Sequence, residues 1–157
     1  MQWYDARWFT KALRQYADFS GRARRAEFWM FSLVSAIISV ALIPIDTFVL
    51  GFDTDVYPPL IGGYGPLGWL YELAVLVPTY AVGARRLHDT GHRGWWQLVS
   101  APLLVSAAIG MQEPIVVIAV LLGVAILGGL AVLVMLALDG TPEPNRWGPN
   151  PKTDMTS

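Results

Sequence analysis

Four long apolar segments constrain the fold of this 157-residue chain more than any other feature. The hydrocarbon core of a bilayer is about 30 Å thick, and roughly 20 apolar residues cross it as an α-helix. Lipid offers the backbone no hydrogen-bond partner, so such segments must be helical in a membrane. The sequence therefore predicts an all-α integral membrane protein in one domain, residues 1–157, with four transmembrane helices at 28–50, 67–84, 95–111 and 115–138.

The third segment is the shortest of the four and contains Pro102. A re-entrant or buried segment is the alternative to a full span at this position. Composition agrees with a membrane protein, because 15% of the residues are charged, against about 25% in soluble domains. The net charge of −1 gives no general attraction to nucleic acid, so the lipid bilayer is the partner that composition predicts.

The positions of the basic residues predict the orientation. With four spans, all eleven lysines and arginines fall on one side of the membrane, and the loops at 51–66 and 112–114 contain none. Lysine and arginine favour cytoplasmic loops. The sequence therefore predicts a multi-pass protein whose N-terminus and C-terminus are both cytoplasmic.

Residues 3–19 show helical periodicity, with aromatic and aliphatic side chains on one face and basic side chains on another. Phe9, Ala12, Leu13 and Tyr16 share the apolar face. This pattern predicts an amphipathic interfacial helix. It would either dock on anionic lipid at the membrane surface or pack as a cytoplasmic helix against the other loops.

Three segments on the predicted cytoplasmic side combine arginine, glycine and tryptophan. They are DFSGRARRAEFWMF at 18–31, ARRLHDTGHRGWW at 84–96 and DGTPEPNRWGPNP at 139–151. Four-helix topology brings them to one surface, although their spacing leaves open whether they touch. The prolines of the third segment forbid a long helix, so residues 139–157 are interpreted as an ordered Pro-rich strap across the cytoplasmic face, with a disordered tail as the alternative.

These motifs, in this order, resemble the bacterial inner-membrane proteins described as domain of unknown function 805, the YhaH-like proteins. The resemblance covers residues 3–151, and RRLHDTGHRGWW is its most specific part. It implies a small four-helix protein of the bacterial inner membrane and implies no activity. The chain departs from the family pattern at Arg93, Glu143 and Asn150, so no ligand role is carried over to these positions.

The same motifs supply the candidate binding residues. A guanidinium can hold a phosphate through two parallel hydrogen bonds, tryptophan anchors at the membrane interface, and histidine exchanges a proton near neutral pH. Either the motifs bind a lipid headgroup or another anionic group, or Asp89 pairs with an arginine and the motifs form a packed structural cap. The candidate residues are Arg22, Arg25, Glu27, Trp29, Arg85, Arg86, His88, Asp89, Gly91, Gly94, Trp95, Trp96, Asn145, Arg146 and Gly148.

The sequence predicts no metal site, no cofactor and no catalytic residue. His88 and His92 are four residues apart, but Gly91 lies between them and Asp89 is the only nearby carboxylate, whereas zinc takes three or four protein ligands. The chain has no cysteine. No serine has an adjacent base, and no phosphate-binding loop is present.

Glu72 is the acid placed well inside a predicted span, where a carboxylate is costly and often functional. It could take part in ion or proton movement, or it could reach the interface or be protonated. Asp46, near the end of the first span, is interpreted as an interfacial cap. Small residues such as Ala119 and Gly123, spaced by four, allow close helix packing within the chain or in a homo-oligomer.

Three functions are compatible with these observations. The first is a non-enzymatic scaffold or regulator that docks a lipid headgroup or a protein partner on its cytoplasmic face. The second is a small oligomeric transporter or channel subunit, which Glu72 would serve. The third is a membrane enzyme that acts on lipid headgroups through His88 and Asp89. The concentration of motifs on one side favours the first function.

Overall fold

The computed structural model describes residues 5, 7–52, 65–100 and 115–152. The regular elements in these ranges are all helical. They are α1 (Arg7–Arg14), α2 (Arg25–Pro44) with a π-helical extension (Ile45–Val49), α3 (Pro66–Asp89), a 3-10 helix (Gly94–Ser100) and α4 (Ile115–Ala137).

Three of these helices are long and apolar enough to cross a membrane. They are Arg25–Val49, Pro66–Asp89 and Ala119–Ala137, with mean hydropathies of 2.2, 1.3 and 2.8. Their outward side chains are large and apolar, as at Val40 and Leu127, which are 64% and 71% exposed. A surface of this kind requires lipid rather than water. In the described part of the chain, an all-helical fold with three candidate membrane-spanning helices is therefore confirmed.

The third predicted span, 95–111, stays a prediction. Its first residues belong to the 3-10 helix Gly94–Ser100, and residues 101–111 lie outside the described part of the chain. A 3-10 helix rarely continues beyond a few residues because its hydrogen-bond geometry is poorer than that of an α-helix. Four membrane-spanning helices are thus predicted by the sequence, and three candidates are described.

The second span extends further than the apolar pattern indicated. Residue 84 was its predicted end, but α3 continues to Asp89. Arg85, Arg86 and His88 therefore lie in the last turns of a helix and not in a connecting loop. The helix continues through these charged residues because neighbouring elements supply partners for them.

Helix α1 packs on the rest of the protein through Phe9, Ala12 and Leu13 of its predicted apolar face. Trp8 and Ala12 are buried, and the ring of Phe9 stacks on Phe31 with centroids 5.3 Å apart. Ala12 and Phe31 belong to a core shared by α1, α2 and α3. Of the two interpretations of the N-terminal arm, this contact agrees with a helix packed against the rest of the chain.

A second core joins α3 to α4. Leu87 of α3 is fully buried against Val132 and Leu136 of α4, and the partly buried Phe28 and Trp96 pack around them. Close packing of such side chains holds membrane helices together, since lipid supplies no hydrophobic driving force between them. This contact brings the end of α4, and the segment that follows it, to the end of α3.

Asp46 caps the helix that follows it. Its side chain is 1% exposed. Oδ1 accepts a hydrogen bond from the backbone N–H of Leu67 at 3.0 Å, and Oδ2 accepts one from Gly68 at 2.9 Å. A carboxylate at this position satisfies orphan donors of the first turn and complements the helix dipole. A Cβ at Gly65 would lie 2.5 Å from the Asp46 side chain, so this residue must be glycine.

We expect Asp46→Ala to lower the free energy of unfolding by about 1–2 kcal/mol, the usual loss for a removed helix cap. The measurement is thermal unfolding in a mild detergent, followed by circular dichroism. Asp46→Asn is the matched control, because its amide oxygen can replace one of the two acceptor contacts and its loss should be smaller. Equal melting temperatures for Asp46→Ala and the unsubstituted protein would contradict the assignment.

Candidate functional site

The three sequence motifs meet at one end of the molecule. The segment before α2, the last turns of α3 and the segment after α4 contact one another there. The backbone N–H of Ala23 donates to the carbonyl of Arg85 at 3.0 Å, and that of Thr141 donates to the carbonyl of Asp89 at 2.8 Å. Five buried charged side chains occupy this region, and together they are called the arginine cluster: Arg22, Glu27, Arg85, Arg86 and Asp89.

Asp89 holds two arginines of this cluster. Nε and Nη2 of Arg22 each lie 2.9 Å from Oδ1 of Asp89, and Nη1 of Arg86 donates to Oδ2. The side chains of Arg22, Arg86 and Asp89 are 1%, 0% and 5% exposed. Removing a carboxylate from such a buried pair leaves uncompensated positive charge, so the three side chains depend on one another.

The remaining donors of Arg22 and Arg86 bind backbone carbonyls in the last turn of α4 and in the segment that follows it. Arg22 donates to the carbonyls of Thr141 and Glu143, at 2.5 and 2.9 Å. Arg86 donates from Nε to the carbonyl of Leu136 at 3.0 Å, and from Nη2 to that of Leu138. The last carbonyls of a helix lack partners within the helix. Arg86 therefore acts as a side-chain cap for the C-terminus of α4.

Glu27 and Arg85 form the second buried pair of the cluster. Nη1 of Arg85 lies 3.0 Å from Oε1 of Glu27, and Nζ of Lys11 lies 2.6 Å from Oε2. Nη1 of Arg85 also donates to the side chain of Gln15. Nε and Nη2 of Arg85 are buried and make no hydrogen bond with the described residues. Glu27 therefore provides the only carboxylate that pairs with Arg85 in the described part of the chain.

The third motif packs directly on His88. Its ring stacks on Trp147 with centroids 4.6 Å apart, and its backbone carbonyl accepts a hydrogen bond from Nδ2 of Asn145 at 3.0 Å. The guanidinium carbon of Arg146 lies 3.8 Å from the Trp147 ring centroid, on the outside of this stack. Nδ1 of His88 lies 3.1 Å from the carbonyl of Gly21 in the first motif. His88 thus joins all three motifs.

The predicted glycines serve turns and close contacts. Gly91 and Gly148 have φ angles of 84° and 130°, which side-chain-bearing residues rarely adopt. A Cβ at Gly94 would lie 2.7 Å from the Cβ of Ala84, so Gly94 permits the 3-10 helix to approach α3. Gly140, which follows α4, lies so close to Asp89 that a Cβ would meet its carboxylate.

Other predicted residues lie apart from the arginine cluster. Trp29 is 41% exposed on the outer face of α2, and Trp95 is 52% exposed, with its ring stacked on Trp96 at 4.8 Å. Arg25 pairs at the surface with Asp139 at 3.1 Å. Glu72 lies near the other end of α3 and accepts a hydrogen bond from Ser39 at 2.6 Å.

Sequence reasoning did not select several residues that complete this end of the molecule. Lys11 and Gln15 were assigned to a surface helix, yet they bind Glu27 and Arg85. Gly140 was one available signal for the close contact between the third motif and Asp89, because a glycine permits another chain segment to approach its backbone. For Lys11 no local signal exists, since Glu27 lies on a different helix.

A basic groove lies beside the arginine cluster. It has a volume of about 260 Å³, and its basic and aromatic walls are Trp8, Arg24, Arg25, Arg86 and Lys152. The guanidinium carbon of Arg24 lies 5.9 Å from the Trp8 ring centroid, and Nε of Arg24 donates to the carbonyl of Pro151 at 2.7 Å. Asp89 and Asp139 also line the groove, but each already pairs with an arginine.

His88 and Asp89 are adjacent in sequence but have separate partners. The Asp89 carboxylate faces Arg22 and Arg86, whereas His88 Nδ1 faces a backbone carbonyl. A carboxylate that orients a histidine for acid–base chemistry would have to bond to its ring. Within the described ranges, no group of three or more His, Cys, Asp and Glu side chains is placed to hold a metal ion.

Comparison with known families extends the motif resemblance to most of the chain. The sequence model of the family described as Protein of unknown function (DUF805) matches residues 16–149. The chain belongs to the DUF805 family. The matched range contains every member of the arginine cluster, and the resemblance predicted from the three motifs is confirmed.

Two DUF805 relatives come from Escherichia coli strain K12. Inner membrane protein YhaH is 36% identical over 148 residues, which cover 94% of this chain and 98% of the relative. Inner membrane protein YhaI is 34% identical over 145 residues, which cover 92% of this chain and 95% of the relative. No solved structure matches the chain. The names of these relatives agree with the apolar helices in describing a bacterial inner-membrane protein.

Proposed function

We propose that this DUF805 protein is a non-enzymatic inner-membrane scaffold or regulator that binds the headgroup of an anionic phospholipid in its basic groove. The observation that carries the proposal is an excess of positive charge there. Arg24 and Lys152 line the groove, and neither pairs with a carboxylate of the described residues. A phosphate would supply the missing negative charge. Nε and Nη2 of Arg24 already donate to the carbonyl of Pro151, so the phosphate would take Nη1 of Arg24 and the ammonium of Lys152.

The arginine cluster has a different role in this proposal. Its guanidinium groups contact internal carboxylates and backbone carbonyls, so Arg22 and Arg86 have little capacity left for a ligand. They would act as a structural cap that holds the ends of α2, α3 and α4 together. The groove beside them is then the place where the protein meets the lipid headgroups, and Trp8 forms one of its walls.

The proposal includes four membrane-spanning helices with both termini in the cytoplasm. All eleven basic residues fall on one side in that topology, which is the cytoplasmic side by the usual bias of lysine and arginine. The same arrangement makes residues 139–157 a strap across that face. The bonds from Arg22 and Asn145 to this segment support a fixed course for its described part.

The test is native mass spectrometry of the protein released from mixed phosphatidylglycerol and phosphatidylethanolamine. We expect the unsubstituted protein to retain phosphatidylglycerol preferentially. Arg24→Gln combined with Lys152→Gln should weaken this retention by up to roughly thirtyfold, since each basic residue contributes about 1 kcal/mol near anionic lipid.

Arg14→Gln combined with Arg93→Gln is the matched control. It removes the same charge from two exposed residues outside the groove. Equal losses in the two double variants would show a general charge effect and overturn the groove as the site. If the unsubstituted protein retains neither lipid preferentially, the proposal is also rejected. That outcome would favour a protein partner on this face.

A transporter or channel subunit is the second candidate function. One observation favours it: Ser39 donates to Oε1 of Glu72 at 2.6 Å within two candidate membrane-spanning helices. A carboxylate within a membrane-spanning segment is often functional. Glu72→Gln keeps a hydrogen-bond acceptor and removes the charge. A loss of proton or cation flux in proteoliposomes, with the folded protein retained, would favour transport over the scaffold.

A further inference from the structure

A second cavity is lined by His88 and shares no lining residue with the basic groove. Its volume is about 320 Å³, at the small end of the range for sites of organic ligands. The cavity lies between the second half of α3 and the 3-10 helix. Its walls are mostly apolar and aromatic, formed by Phe19, Tyr80, Ala84, Trp95 and Leu98.

His88 contributes an imidazole nitrogen to this cavity. Nδ1 lies 3.1 Å from the carbonyl of Gly21. A carbonyl is only an acceptor, so Nδ1 must carry the proton, and Nε2 of the neutral ring is then an acceptor with a free lone pair. Nε2 lies 3.4 Å from the position that a Cβ at Gly94 would occupy, on the cavity side of the ring. It makes no hydrogen bond with the described residues.

The surroundings fix the ring in this orientation. One face of His88 stacks on Trp147, and the backbone carbonyl of His88 accepts a hydrogen bond from Asn145. A ring held by two contacts, the Trp147 stack and the Gly21 carbonyl, presents its remaining acceptor with little loss of entropy on binding. The cavity thus combines aromatic walls with a fixed hydrogen-bond acceptor at His88, and Gln97 also lines it.

The mouth of the cavity suits entry from the membrane. Phe19, Trp95 and Leu98 are 46%, 52% and 61% exposed at its edge. Exposed aromatic side chains at the end of a membrane-spanning helix lie at the level of the lipid headgroups. A ligand would reach the cavity from that layer, where neutral amphiphilic molecules place their polar heads.

We infer that this cavity binds a neutral, hydroxyl-bearing membrane amphiphile whose hydroxyl donates to Nε2 of His88 and whose apolar part packs between Tyr80 and Trp95. An anionic headgroup does not fit, because none of the described residues that line the cavity is a lysine or an arginine. Two membrane components carry the required chemistry: quinols, with a hydroxyl on an aromatic ring, and diacylglycerols, with a hydroxyl on glycerol. The aromatic walls favour the ring.

The experiment uses protein in nanodiscs with ¹⁵N-labelled histidine at pH 8. The chain has two histidines, and His92→Gln assigns the spectrum. The probes are 4-octylphenol and its methyl ether, 4-octylanisole, in which a methyl group replaces the hydroxyl hydrogen and removes the donor. We expect the phenol to shift the Nε2 resonance of His88 and to bind about tenfold more tightly than the ether, which corresponds to one hydrogen bond. His88→Phe keeps a ring against Trp147 and should abolish the difference between the probes.

Equal affinities for the phenol and the ether, or a phenol that leaves the His88 resonance unchanged, would overturn the inference. The comparison of the two probes needs no variant, so it stays decisive if His88→Phe does not fold. A short-chain quinol and dioctanoylglycerol then separate the two sources. The membrane component that binds is represented by the compound that shifts the His88 resonance at the lower concentration. If neither compound shifts the resonance, the assignment is rejected.

Discussion

Asp89→Ala is expected to lower the free energy of unfolding by about 3–5 kcal/mol, the usual loss when one partner of a buried ion pair is removed. Asp89 receives Arg22 on one oxygen and Arg86 on the other, and these arginine side chains are 1% and 0% exposed. After the substitution, both guanidiniums would be buried without a counter-charge. Arg86 would also lose the contact that orients it toward the end of α4.

The measurement is thermal unfolding in mild detergent, together with the yield of monodisperse protein. Asp139→Ala is the matched control, because it removes a carboxylate that pairs with Arg25 but is 75% exposed. Surface pairs contribute about 0–1 kcal/mol, so the control should stay close to the unsubstituted protein. Equal stability of the two variants would show that the cluster does not hold this end of the molecule together.

Glu27→Ala should give the second largest effect, about 3 kcal/mol or more. Glu27 is completely buried and pairs with Arg85, which is 2% exposed. Two nitrogens of Arg85 already lack hydrogen bonds with described residues. Removing the carboxylate would leave this guanidinium buried with Gln15 as its one remaining side-chain acceptor there.

Lys11→Ala provides the control for Glu27. Lys11 binds the other oxygen of the same carboxylate, but its side chain is 40% exposed and can be replaced by water. Its loss should cost about 1 kcal/mol or less. Chemical unfolding of both variants, monitored by tryptophan fluorescence, tests the difference. A larger loss for Lys11→Ala than for Glu27→Ala would contradict the assignment of Arg85 as the essential partner.

The membrane fold and most of the site residues were predictable from local patterns. Apolar runs predict α2, α3 and α4 because a helix in lipid must be apolar over its whole length. The motifs selected Arg22, Arg85 and Asp89 because such charge and glycine are unusual between apolar segments. The ends of the helices were less predictable, since the buried charges that extend α3 to Asp89 interrupt its apolar pattern.

The course of α1 shows the limit of periodicity. The pattern of residues 3–19 predicts an apolar face and a basic face but does not say what each face meets. In the structure, Trp8 and Ala12 face the protein, and Lys11 reaches a carboxylate 16 residues away. An amphipathic helix gains similar free energy by burying its apolar face in lipid or in protein, so only the neighbouring helices decide between them.

The sequence by itself determined that the chain is a helical membrane protein, because the bilayer imposes length and hydropathy on each segment separately. It also determined which charged residues and glycines are unusual between apolar segments and are therefore candidates for the site. Only the tertiary structure decided that Asp89 holds Arg22 and Arg86, that Arg86 caps α4 and that His88 turns one nitrogen toward a cavity. The contact between Arg22 and Asp89 joins residues 67 positions apart, and that between Arg86 and Leu136 joins residues 50 positions apart. Their pairing depends on distance in space and on burial, which no local pattern contains.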